Sequence, residues 1–295
     1  MTNFPRKVGV IGAGRMGLGI TQLFLEHEVR VVLHDSSSFL LNKAERKLKE
    51  RCLRAETLSE KASSDNILKK LTLSDRLQDF SVCDFIIEAI FESYEAKEGV
   101  FDNLKEYISG EAILATNTSS LSVTRLAHSV PNPRHFLGFH FMNPAHRIPL
   151  VELIRAPETD DDVFRKSQDL AGFLGKTVIL SRDTPAFILN RVLVSMINEA
   201  ICVLEERIAR VEDIDKAFVL GAQHPIGPLS LADFIGLDIV LAILKTLYTE
   251  RGEKYRPSAL LKDYVARGWL GRKSGRGFFM YDEGGYYPFP PIIKG

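Results

Sequence analysis

The sequence predicts an α/β protein: a doubly wound, mainly parallel sheet followed by an all-helical C-terminal domain. Three observations point there. Short β-rich runs alternate with helix-length segments through the first 183 residues. A glycine-rich turn joins the first run to the first helical segment, and beyond Asp183 the strand patterns stop.

Seven runs read as strands: "KVGVIG" (7–12), "VRVVLHD" (29–35), "DFIIEAI" (84–90), "AILATNT" (112–118), "HFLGFHF" (135–141), "PLVELIRA" (149–156) and "TVILSRD" (177–183). Helical segments such as "GRMGLGITQLFLEHE" and "AKEGVFDNLKEYI" lie between them. Residues 37–72 form a helical insertion of two charged stretches that a plain βαβ repeat does not need. Asp183-Thr184-Pro185 combines a capping residue with a proline suited to a first helical turn. It leads into "AFILNRVLVSMINEAICVLEERIA", apolar nearly all round at Phe187, Ile188, Val192, Met196, Ile197 and Ile201, and so expected to be buried. Residues 1–183 and 184–295 are expected as separate domains. So apolar a first helix also predicts a homodimer through the second.

Composition narrows the function class. The 295 residues are 45% hydrophobic and 26% charged, ordinary for a globular chain. Thirty-eight basic residues balance thirty-eight acidic ones, so no global field favours nucleic acid or an anionic membrane. Cys52, Cys83 and Cys202 are scattered and odd in number, which argues against a disulfide framework or a metal cluster. The N-terminus enters a strand without a signal-peptide profile, and no apolar run would span a bilayer. A cytoplasmic protein is expected.

"GVIGAGRMGLG" carries G-x-G-x-x-G at Gly12, Gly14 and Gly17. Alone the motif is weak, since any tight strand-to-helix turn can match it. Here an apolar strand precedes it and an amphipathic helix follows. A second strand then ends in Asp35, 23 residues past Gly12. This is a Rossmann-type context, in which the helix N-terminus binds a pyrophosphate. Gly12, Gly14, Arg15, Met16 and Gly17 form the candidate cradle. Asp35 can accept from ribose hydroxyls and would repel a 2′-phosphate; Ser36 to Ser38 offer no arginine to hold one. NAD is expected over NADP.

His140 is the odd residue of "GFHFMNP", an ionisable ring in an apolar strand. Glu152 is the odd residue of "PLVELIRA". A buried carboxylate among leucines costs several kcal/mol unless something pairs with it, and the two lie on successive strands. The pair reads either as a structural couple or as a general base with its orienting carboxylate. The residues alone leave both open. "NTSSLS" (117–122) follows another strand, where α/β folds place ligand loops, though serines there also cap helices. Asn190 sits early in the apolar helix, where an amide can satisfy packing or reach a cleft.

With these residues in view, the chain resembles the L-3-hydroxyacyl-CoA dehydrogenase family over almost its full length. The matching stretches include "GVIGAGRMGLGI", "FIIEAIFESYEAKEGVF", "NTSSLSV", "GFHFMNP", "LVEL", "DTPAFILNRV", "HPIGPLSLADFIGLD" and "GRKSGRGFFMY". The resemblance implies that His140 is the catalytic base and Glu152 its partner, and that Ser119 and Asn190 contact substrate oxygens. It implies NAD contacts from Asp35, Glu92, Lys97, Asn117, Ser119, Asn143 and Lys273. The implied substrate is a 3-hydroxyacyl or 3-oxoacyl thioester.

Two stretches depart from the family. Its members have an apolar–lysine step before "LVE", whereas this chain reads "AHRIPLVE", with His146, Arg147 and Pro149. Proline there resembles the lambda-crystallin and gulonate dehydrogenase branch. The family also carries a lysine-rich end to the first insertion helix that holds the coenzyme A phosphates. Here that stretch is "RAETLSEK", and Lys47, Lys49, Arg51 and Arg54 come earlier. An acyl group on a carrier protein is therefore a second expectation for the substrate. An inactive, crystallin-like protein would not need Ser119, His140, Glu152 and Asn190 together.

Overall fold

Valine, isoleucine and leucine dominate the runs that become strands, because branched side chains pack well on a sheet buried on both faces. The structure, a computed structural model, describes residues 5–58 and 68–281. It divides into two units, Met1–Thr184 and Pro185–Gly295. The first holds one eight-stranded sheet: β1 (Lys7–Ile11), β2 (Arg30–His34), β3 (Leu71–Ser74), β4 (Phe85–Glu88), β5 (Ile113–Thr116), β6 (Phe136–Phe141), β7 (Leu150–Arg155) and β8 (Thr177–Arg182). The strand order is β3-β2-β1-β4-β5-β6-β7-β8. Every neighbouring pair is parallel except β6 and β7. The doubly wound reading holds, and the order reverses between β1 and β4, where such folds open a ligand crevice.

The exception has a simple cause. A parallel crossover needs a dozen or more residues, and only 142–149 separate β6 from β7. The chain must turn back. That reversal sets His140 directly opposite Glu152.

Helices α1 (Arg15–Glu26), α2 (Ser38–Leu58), α3 (Tyr94–Leu104), α4 (Val123–Ala127) and α5 (Asp161–Phe173) flank the sheet. Residues 17–25 of α1 are buried throughout, and Ile20, Leu23 and Phe24 join Val8, Val31, Leu33 and Phe139 in one core. The first charged stretch of the insertion is α2, while the second lies largely outside the described residues. The strand β3 was not expected. Its four residues bond to β2 at the sheet edge, and "LTLS" is too short for its alternation to stand out from the charged segments before it.

The helical unit contains α6 (Leu189–Glu205), α7 (Val211–Lys216), α8 (Pro228–Ile235), α9 (Leu237–Arg251) and α10 (Ala259–Ala266). Val194, Ile197 and Ile201 of α6 pack with Leu229, Leu237 and Leu244 in a second core. Two expectations need correcting. The helix does not begin at Pro185: Ala186 and Phe187 take positive φ, 61° and 49°, which interrupts helical geometry until Leu189. Nor is the helix buried all round, because Ile188 and Val192 are 42% and 67% exposed.

Buried carboxylates brace this unit. Asp215 accepts from the N–H groups of Leu229 and Ser230 at 2.8 and 2.9 Å, which caps α8. Asp233 accepts from Phe278 N, Phe279 N and the Tyr281 hydroxyl at 3.0, 2.9 and 2.8 Å, holding the glycine-rich tail. Burial pushes both carboxyls up, and the donated hydrogen bonds oppose it. A side chain at Gly277 would run into Asp233. Among the described residues no helix is long and apolar enough to cross a membrane.

Candidate active site

The turn after β1 shows what each glycine is for. Gly12 has φ +103°, and a Cβ there would lie 2.7 Å from the Ala89 carbonyl oxygen. Its N–H donates to His34 O at 2.7 Å. Gly17 is packed against the Gly12 carbonyl, whereas a Cβ on Gly14 would meet nothing within 4 Å. The open position is therefore the middle glycine, directly before Arg15 and Met16 start α1. An anion can approach the first N–H groups of the helix there. Asp35 follows β2 and accepts from Ala13 N at 2.8 Å and Ser37 N at 2.9 Å. A carboxylate has about four acceptor positions, so one that braces the turn still has lone pairs for ribose hydroxyls. The pieces of a dinucleotide cradle fit NAD.

Next to the switch point lies a polar network, of which the family resemblance implies Glu92, Lys97, Asn117 and Ser119 but not Glu88. Glu88, the last residue of β4, is fully buried and accepts from Lys97 Nζ at 2.5 Å, Thr116 Oγ1 at 2.6 Å and Ile90 N at 2.7 Å. Lys97, on α3, is 1% exposed. Its Nζ also lies 3.6 Å from Glu92. Glu92 Oε1 in turn accepts from Ser119 N at 2.8 Å, Ser120 N at 2.9 Å and Thr118 Oγ1 at 2.7 Å. Burial raises the Glu92 carboxyl, but Lys97 and these donors outweigh it, so it is held below the ordinary glutamate value. Glu92 ties the loop after β4 to the "NTSSLS" loop after β5. Asn117 continues the link, its Oδ1 accepting from Phe141 N of β6 at 2.9 Å. Glu88 is a functional neighbour that the sequence marks only by a charge inside the apolar run "FIIEAI", the same signal that marks His140 and Glu152.

His140 is 5% exposed and Glu152 is fully buried. The imidazole Nδ1 lies 2.8 Å from Glu152 Oε2. A carboxylate only accepts, so Nδ1 carries the proton and Nε2 is the nitrogen that can accept one. Gly138 shares the face of His140, and a Cβ there would meet Val123 of α4 at 2.9 Å. The serine loop leads straight into that helix. On the other face Phe139 and Phe141 stack at 4.8 Å.

Asp183 does not cap the helix that follows it. Its carboxylate accepts from the Ser122 hydroxyl at 2.7 Å, Val123 N at 3.1 Å and Thr124 N at 2.7 Å, which caps α4 and pins the serine loop. Asn143 is exposed after β6. Asn190 and Lys273 stand on the helical unit, where Lys273 Nζ pairs with Asp238 at 2.5 Å.

Comparison with known proteins places this geometry. Residues 7–184 match the 3-hydroxyacyl-CoA dehydrogenase NAD binding domain, and residues 187–281 match the C-terminal domain of the same family. The chain belongs to the 3-hydroxyacyl-CoA dehydrogenase family. It is 45% identical to a 3-hydroxybutyryl-CoA dehydrogenase of Bradyrhizobium diazoefficiens, over 97% of this chain and 98% of that one. The crystal structure of (S)-3-hydroxybutyryl-CoA dehydrogenase PaaH1 from Ralstonia eutropha superposes with a TM-score of 0.88 at 41% identity, covering 94% of this chain and 99% of that one. FadB2 from M. tuberculosis gives a TM-score of 0.92 at 36% identity, covering 95% and 100%.

Proposed function

We propose that the protein catalyses the NAD-dependent interconversion of L-3-hydroxyacyl-CoA and 3-oxoacyl-CoA thioesters, with the four-carbon 3-hydroxybutyryl group as a substrate. The observation that carries this reading is the buried His140–Glu152 pair, 2.8 Å apart at the sheet edge where β1, β4 and β5 end. Bound at the Gly14 cradle, NAD supplies the hydride acceptor. Neutral His140 takes the proton of the C3 hydroxyl on Nε2, and Glu152 stabilises the imidazolium that forms. Ser119 and Asn190 hold the substrate oxygens so that the reacting carbon is correctly placed. Glu92 fixes the backbone of Ser119, and Asp183 fixes the far end of the same loop. Asp35, Lys97, Asn117, Asn143 and Lys273 serve the cofactor, Lys97 through its hold on Glu92.

The helical unit is proposed as the dimer interface, supported by exposed apolar side chains at Val192, Ile208 and Leu220; sedimentation of the purified protein tests this. The scattered cysteines suit a cytoplasmic setting.

The activity is tested by following NADH absorbance with acetoacetyl-CoA and, separately, NAD reduction with gulonate. Consumption of NADH with the thioester and no turnover of gulonate is expected. Gulonate oxidation without thioester reduction would overturn the assignment.

A further inference from the structure

The serine loop after β5 takes its shape from side chains. Each backbone N–H from Thr118 to Arg125 donates to one. Thr116, Thr118 and Ser122 supply the local acceptors, for the N–H groups of Thr118, Leu121 and Arg125 at 3.3, 3.0 and 3.1 Å. The other acceptors come from distant parts of the chain. Glu92 holds the entrance at Ser119 and Ser120, and Asp183 holds the exit at Val123 and Thr124. Between these two carboxylates lies the N–H of Ser122, which donates to the Tyr94 hydroxyl at 2.8 Å.

Tyr94 is itself steadied. It opens α3, two residues after Glu92, so the head of one helix presents both acceptors to the loop. The guanidinium of Arg125, on α4, lies 3.7 Å from the centre of the tyrosine ring. Its Nε donates to Glu98 at 3.1 Å. Glu98 stands four residues after Tyr94 and so on the same face of α3. Ring, guanidinium and carboxylate together latch α3 to α4.

Both N–H groups that Glu92 holds converge on a single oxygen, Oε1. A segment pinned at one atom can still pivot about it. Tyr94 supplies a second fixed point from the same helix. The Ser119 hydroxyl, by contrast, is 3.4 Å from Glu92 Oε1, long for a hydrogen bond, and is held loosely enough to turn towards a ligand.

We propose that Tyr94 is a positioning residue for the reaction. By fixing Ser122 it stops the loop from pivoting about Glu92, and so holds the Ser119 hydroxyl where a substrate oxygen arrives. The proposal rests on the reading above in which Ser119 binds that oxygen. A hydroxyl set in place beforehand needs no reorganisation as charge shifts during the reaction, whereas a small displacement of it slows the step. One face of the Tyr94 ring is covered and its hydroxyl meets the loop backbone, so the residue acts through the loop.

The test uses the full chain with Tyr94→Phe, Arg125→Met, Arg125→Lys, Ser119→Ala and the double variant Ser119→Ala with Tyr94→Phe. Kinetic constants for acetoacetyl-CoA and NADH are measured beside thermal unfolding. Tyr94→Phe keeps the ring beneath Arg125 and removes only the acceptor, so kcat should fall about threefold to tenfold. The KM for NADH should stay within about twofold. Arg125→Met should cost less, about twofold to fivefold, and Arg125→Lys, which keeps a cation over the ring, should recover part of that. In the Ser119→Ala background, Tyr94→Phe should change kcat by less than about twofold, because the hydroxyl it positions is gone. Equal losses with and without the Ser119 hydroxyl would overturn the proposal, as would a lower unfolding temperature with kcat unchanged. If the unaltered protein turns over no acyl thioester, the dehydrogenase reading fails separately. Hydrogen exchange over residues 118–125 then decides the latch: exchange that quickens in Tyr94→Phe upholds it, and unchanged exchange overturns it.

Discussion

Replacing Glu152 by glutamine keeps the side chain's volume and leaves an amide oxygen that can accept from His140 Nδ1, but it removes the charge. The bond is 2.8 Å long between a fully buried carboxylate and a nearly buried ring. A hydrogen bond to a charged group contributes about 1.5–3 kcal/mol and a neutral one about 0.5–1.5. The difference of about 1–1.5 kcal/mol corresponds to roughly tenfold in rate, since the lost charge would have stabilised the imidazolium. His140→Gln removes the proposed base and should cost about 10²–10⁴-fold in kcat. Its amide can still donate to Glu152, so the buried carboxylate keeps a partner. The double variant should lie within about twofold of His140→Gln, because Glu152 acts only through the ring. The assay is NADH formation from NAD and 3-hydroxybutyryl-CoA at saturation, with thermal unfolding as the check on folding. Losses that multiply in the double variant would show two independent roles and refute the coupling. A His140→Gln protein that keeps more than about a tenth of the rate would refute the general base.

Asp35→Asn should reduce kcat/KM for NAD about tenfold and affect NADP less, because the amide accepts ribose hydroxyls more weakly and no longer repels a 2′-phosphate. Equal kcat/KM for both cofactors in the unaltered protein would count against Asp35 as selector. Glu88→Gln should destabilise the fold by about 3–5 kcal/mol, since it leaves Lys97 buried with only Glu92 at 3.6 Å. Adding Lys97→Met should restore part of this in chemical denaturation, and a loss under about 1 kcal/mol in the single variant would contradict the buried pair. His34 is held below the ordinary histidine value by burial, with Asp35 and the Asp75 backbone only partly offsetting it. The unfolded ring thus binds its proton at higher pH than the folded one. The contribution of His34 is fully present above about 6.5 and is lost as the pH falls through the folded value. Unfolding free energies against pH should therefore drop less steeply on acidification in His34→Gln, and an unchanged slope would exclude the effect.

The sequence showed the parallel sheet because its strands are buried on both faces and read as short apolar runs. It showed Gly12, Gly14, Gly17, Asp35, His140 and Glu152 because each breaks a local pattern that packing alone would keep. What it concealed depended on partners distant in the chain. Asp183 reads as a cap for the helix after it, yet its acceptors are filled by residues about sixty positions earlier. No local pattern announces that choice. The strand β3 was hidden for a different reason, because its pairing with β2 is made by backbone groups that every residue carries.

Both kinds of legibility meet at one sheet edge. Parallel strands all end on the same side, so β1, β4 and β5 deliver the glycine turn, Glu88 and Thr116 to a common rim. A parallel β7 would have brought its last residues to that rim, and Glu152, the third residue of the strand, would have lain back from it along the sheet. The short 142–149 connection forces the reversal, and an antiparallel strand begins where its neighbours end. The carboxylate near the start of β7 therefore arrives beside the histidine near the end of β6, in register and within hydrogen-bond distance. Lengthening that connection without breaking the β6–β7 pairing should leave the 2.8 Å contact intact, because the ladder and not the loop holds it. If such a variant kept the pairing but lost turnover of acetoacetyl-CoA, the register would not be what positions Glu152.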